Sequence, residues 1–189
     1  MNSNKSLEWL LNPFTRLAGW KAFGLGIIAS VVMAVTGSYS SVAFDGVLDA
    51  HFIGLNAVQA LSMTGLSLTS LVLVFWLTGL IVAKPFRLID LAGTMILAKA
   101  PYIFLALIGF LVTSPNPMTL INQPSIILEY PGFLGALFLS IPITIWSIVL
   151  MFNAYKTSCG LKERVLTISF IVALIIAEGI SKMLIFLLM

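Results

Sequence analysis

Three ionisable residues stand inside long apolar runs of this chain: Lys99, Glu178 and Lys182. A charge at bilayer depth is costly unless paired or wetted. Such groups therefore turn toward a bundle interior, where they fix helix register as ion pairs or mark a path for protons or substrate. Glu178 precedes Lys182 by four residues, the favourable order for a pair on one helix face. With two lysines against one carboxylate, the trio is unbalanced. It calls for a further partner, a neutral lysine or a snorkelling one, and Lys182, nearer the end of its run, is the expected snorkeller. Pro101 and Pro142 each remove a backbone donor inside an apolar run. They predict kinks and free the carbonyls of Leu97 and Phe138, to one of which Lys99 is placed to donate.

A second group lies in "FDGVLDAHF", where Asp45, Asp49 and His51 fall within seven residues. Carboxylates and an imidazole at that spacing are potential ligands for a divalent cation. Three ligands on one short segment are equally what a solvated, acidic outer loop contains, and that is the expectation. No HExxH, GxSxG or other nucleophile–base arrangement accompanies them, so neither an enzyme, a resident metal nor a cofactor is expected. The single cysteine, Cys159, excludes an internal disulfide. Its place in a basic connection suits a reduced thiol better than a palmitoylated one.

These residues need apolar helices to carry them. Charged residues are 9% and hydrophobic ones 60% of 189, with a mean hydropathy of +1.10. A chain so poor in charge cannot cover itself with polar surface in water. Five runs are long enough to cross about 30 Å of hydrocarbon as helices: 22–44, 60–83, 91–113, 132–153 and 165–188. Helices are required, because backbone groups in lipid must be satisfied within the segment. The expected fold is an all-α bundle of five transmembrane helices, residues 22–189, behind an N-terminal tail, residues 1–21. No room remains among these residues for a soluble catalytic domain.

Lysines and arginines alternate across the connections. Lys5, Arg16 and Lys21 precede the first run, and Lys84 with Arg87 separates the second and third. Lys156, Lys162 and Arg164 precede the last, while 45–59 and 114–131 carry none. The positive-inside rule then places the N-terminus in the cytoplasm and the C-terminus outside. The +3 charge thus belongs to topology rather than to nucleic acid. Ser41-Val42-Ala43 has the form of a signal cleavage site, but the apolar run and the leader are both too long for a signal peptide.

In the tail, Leu7, Leu10, Leu11, Phe14 and Leu17 recur near helical spacing, with Trp9 and Trp20 among them. They predict a headgroup-plane helix broken at Asn12-Pro13. Asp90 opens the third run at the positive end of its helix dipole. Four prolines in 114–131 predict an irregular connection. Small residues step by four along Gly26, Ser30, Ala34, Ser38 and along Ala173, Ala177, Ser181. They predict close helix packing within the bundle or a seam with a second copy.

The landmarks "NPFTRLAGWKAF", "LIDLAGTMILAKAPYIFLALIGFL" and "IWSIVLMFNAYKTSCGLKERVLTISFIVALIIAEG" together resemble the Yip family of integral membrane proteins, in its compact bacterial form. The likeness is one of hydropathy and landmarks over most of the chain. It implies a five-span membrane domain without enzymatic activity, in a bacterial cytoplasmic (inner) membrane. The long N-terminal region through which eukaryotic relatives are linked to small GTPases has no counterpart in a 21-residue tail. The expected function is a membrane scaffold acting through helix–helix and lipid contacts. Its implied partners are the bilayer and other membrane proteins or a second copy. A small transporter or channel component using Lys99 and Glu178 is the alternative. Paired, enclosed charges favour the scaffold, and a polar path to Glu178 favours transport.

Overall fold

The computed structural model describes residues 9–189, so Lys5 and Leu7 of the tail lie outside the described residues. The chain is an all-α bundle. Its helices are α1 (Gly19–Tyr39), α2 (Ala57–Val82), α3 (Leu88–Leu97), α4 (Tyr102–Gly109), the short α5 (Pro117–Asn122), α6 (Pro131–Cys159) and α7 (Glu163–Leu188). With α3 and α4 forming one crossing over Leu88–Gly109, five helical segments are long and apolar enough to span a membrane. Among the described residues no strand forms, and Ala43 and His51 make an isolated antiparallel bridge.

Local chemistry fixes the ends. Asn56 and Gln59 form a reciprocal capping box at the start of α2. Pro131, which needs no N–H partner, opens α6, and Gly160 in the left-handed region (φ 61°) closes it. The boundaries differ from hydropathy at three places. The first crossing ends at Tyr39 rather than 44, because Ser41 takes a positive φ and Val42 turns back to donate to the Gly37 carbonyl. The third ends at Gly109 rather than 113, and the fourth runs on to Cys159, so the cysteine is a buried helical residue. Segment 114–131 is ordered as α5 and a 3-10 turn, Pro124–Glu129, where an irregular connection was expected. Pro117, Pro124 and Pro131 sit at helix starts, where the missing donor is harmless.

α1 packs along α3 and α2 along α7, while α6 lies against α3 and α4. Both small-residue faces serve these contacts: Gly26, Ser30 and Ala34 are buried in α1, and Ala173, Ala177 and Ser181 in α7. α1 and α3 approach closely at Gly93, where a Cβ would come within 2.6 Å of the Phe23 backbone nitrogen. Phe75, Tyr155 and Phe170 join α2, α6 and α7 edge-on or tilted, with centroids 5.0–6.4 Å apart.

The tail is tied to protein. Residues 9–11 are helical, and Pro13–Thr15 form a 3-10 turn beyond the expected break at Asn12. Phe14 is buried in the main core. The Trp146 indole N–H donates to the Leu10 carbonyl and the Asn153 amide to the Leu11 carbonyl, both at 2.9 Å.

Candidate functional site: a re-entrant loop held by intramembrane charges

The loop between α1 and α2 does not stay outside the bundle. Ala43 and His51 exchange backbone hydrogen bonds at 2.7 and 2.9 Å, closing the neck of a loop whose tip is Asp45–Asp49. Phe44 and Val47 are fully buried. The tip reaches Ser67, which stands about 15 Å down α2 from Ala57 at 1.5 Å per residue. Expectation and structure differ here: "FDGVLDAHF" is an inserted segment, not a solvated acidic loop.

Non-helical backbone at that depth survives only if its polar groups find partners in protein. Three crossings supply them. Lys99 Nζ and Ser67 Oγ both donate to the Gly46 carbonyl, at 2.8 and 2.6 Å, and Lys99 also reaches Ser67 Oγ at 3.1 Å. The Leu48 N–H donates to Glu178 Oε2 at 2.9 Å, and the Tyr102 hydroxyl donates to the Leu48 carbonyl at 2.7 Å. Lys182 Nζ binds Asp45 Oδ2 at 3.0 Å and Asp49 Oδ2 at 2.8 Å. His51 Nδ1 lies 2.8 Å from the other Asp45 oxygen, Oδ1.

This arrangement corrects the pairing expected within α7. Lys182 neither pairs with Glu178 nor snorkels, but binds two loop carboxylates; these are the further partners that the unbalanced trio called for. The site suggested for a divalent cation is filled by the chain's own ammonium group, lying between Asp45 and Asp49. Lys99 donates to Gly46 and not to a proline-freed carbonyl. The Leu97 carbonyl is not free, because Ala98–Pro101 switches to i→i+3 bonding and the Ala100 N–H takes it at 3.0 Å. That tight segment, braced by Ser147 Oγ on the Ala98 carbonyl at 2.9 Å, carries Lys99 into the bundle. Pro101 ends one helix and starts another, whereas α6 runs through Pro142 unbroken.

Gly46 is where the contacts converge. A Cβ there would collide with Glu178 Oε1 and lie 2.9 Å from the Asp49 Cβ. Only glycine lets the loop backbone press against the Glu178 carboxylate while its carbonyl faces Lys99 and Ser67. Lys99 is 1% exposed, its ammonium 5.3 Å from the centre of the Tyr102 ring. Where the tip begins, burial alone would raise the Asp45 carboxyl. The hydrogen bonds with His51 and Lys182 outweigh it and lower Asp45 to about 2. The bond to Asp45 raises His51 above its ordinary value against the opposing effect of burial.

Residue-type signals for this site existed in the buried charges and the unmatched lysine. Ser67, Tyr102 and Gly46 gave none, being ordinary residues until the loop is folded in. No family model, curated protein or solved structure matches the chain.

Proposed function

We propose that this protein is a Yip-like, non-enzymatic membrane scaffold. Its intramembrane charges hold a re-entrant loop and thereby set the arrangement of its helices. The observation that carries the reading is the donor set of Lys99: a fully buried ammonium bonded to the Gly46 carbonyl and Ser67 Oγ, inside the fold. A group so engaged serves architecture. Lysines and arginines alternating across the connections support a cytoplasmic N-terminus and an external C-terminus in a bacterial inner membrane. Reporter fusions at Met189 and in the connection after Cys159 test that orientation, and finding both on one side would overturn it.

One observation favours the transport reading. Glu178 Oε1 is buried without a hydrogen-bond partner among the described residues. A cleft of about 310 Å³, lined by Asp49, Ser140 and Thr144, also opens beside the loop. A proton or small cation exchanging at Glu178 would make the protein a carrier or channel component. Proteoliposomes under a valinomycin-imposed potential, read with a lumenal pH dye, separate the two. The scaffold reading expects proton flux equal to that of protein-free vesicles. Flux that Glu178→Gln abolishes would replace it with transport.

A further inference from the structure

At the opposite end of the bundle, the α2–α3 and α6–α7 connections enclose a cleft of about 870 Å³. That volume is within the range of small-molecule sites. Lys84, Arg87 and Lys162 line it, together with the hydroxyls of Thr157 and Ser158. Asp90, the one carboxylate in the lining, stands 3.7 Å from Arg87 Nε. Neither Lys84 nor Lys162 has an ion-pair partner among the described residues. Two helices also begin here, α3 after Arg87 and α7 after Lys162, and neither N-cap residue supplies a side-chain cap. First-turn N–H groups and the positive ends of two helix dipoles therefore add to the cationic side chains.

The cleft lies where four crossings end, with Val82, Phe86 and Val165 among its apolar walls; the ends of a membrane-spanning helix are where polar headgroups meet protein. From this geometry we propose that the cleft is a binding site for the phosphate of an anionic phospholipid headgroup. Lys84, Arg87 and Lys162 supply the charge, and the apolar walls receive the start of the acyl chains. This goes beyond the scaffold reading and does not depend on the loop at the other end.

The chain carries its own control, because Lys21, Lys156 and Arg164 do not line the cleft. Delipidated protein in neutral detergent is titrated with dioctanoyl phosphatidylglycerol, dioctanoyl phosphatidylcholine and glycerol phosphate, and binding is read by native mass spectrometry. The expected result is a preference for phosphatidylglycerol that Lys84→Gln/Arg87→Gln/Lys162→Gln weakens about tenfold or more. Lys21→Gln/Lys156→Gln/Arg164→Gln should weaken it only about twofold. Circular dichroism checks that each variant keeps its helices; should the cleft triple not fold, Lys162→Gln alone is expected to lower affinity several-fold. Equal losses in the two triples, or none in the cleft triple, would reduce the effect to diffuse surface charge and overturn the site. Glycerol phosphate binding as tightly as the lipid would overturn the lipid as occupant.

Discussion

Replacing Lys99 by methionine keeps the shape of a long, unbranched side chain and removes only the ammonium group. The Gly46 carbonyl is not orphaned, since Ser67 Oγ still donates to it at 2.6 Å. Ser67 Oγ loses its contact with the ammonium, and Glu178, which presses on the same glycine without a direct ion pair to Lys99, loses a nearby cation. Hydrogen bonds to a charged group contribute about 1.5–3 kcal/mol. For a chain of this size that corresponds to a melting point about 3–12 °C lower. Glu178→Gln on the Lys99→Met background should recover part of this. The carboxylate charge is gone, and the glutamine carbonyl still accepts from the Leu48 N–H. Glu178→Leu on that background should recover less, because Leu48 keeps a buried, unpaired donor at a further cost of about 1–3 kcal/mol. Thermal unfolding in one neutral detergent, followed by near-ultraviolet dichroism, measures all four proteins. Equal recovery by glutamine and leucine would refute the Leu48–Glu178 bond. An unshifted Lys99→Met would refute the burial of Lys99.

Two further outcomes follow from the same loop. Gly46→Ala forces a methyl group into the Glu178 carboxylate, so it should destabilise the protein by about 1–3 kcal/mol, read in the same melt. His51 has a raised folded pKa, so its contribution to stability is full below about 6.5 and is lost as pH rises through the folded value. Asp45 has a lowered one, and its contribution, present above 3.8, is lost only as pH falls through about 2. Melting points between pH 5 and pH 9 should therefore decline in the native protein through His51 and flatten in His51→Gln; an unchanged slope in the variant would remove His51 from the loop neck.

The crossings were legible because lipid imposes a long apolar run on every helix that spans it, and each of the five runs became a helical crossing. Their ends were less so. Val42, Ala43 and Phe44 extend the first run in hydropathy, yet they belong to the inserted loop, where they are buried in protein rather than in lipid. The loop itself was illegible as structure. Its partners lie 21 to 137 residues away, and hydropathy reads "FDGVLDAHF" as it would any short polar connection. The charge imbalance among Lys99, Glu178 and Lys182 was the one usable trace, and a further partner was only one of the three readings it left open. Asp45 and Asp49 were in view as a group of their own. What joined the two groups was Gly46, whose role depends on how close a helix comes and leaves no mark in the sequence.

The insertion of the loop can be tested at Val47, which is fully buried at its tip, against Ile53, which is 47% exposed beyond its neck. Single cysteines at the two positions, in a Cys159→Ser background, are treated with a membrane-impermeant maleimide in sealed vesicles of both orientations. An inserted loop predicts rapid labelling at 53 and none at 47, with labelling at 47 appearing once Lys99→Met is added. Equal labelling of 47 and 53 in the protein that retains Lys99 would mean that the segment lies outside the bundle and that the charges hold something else.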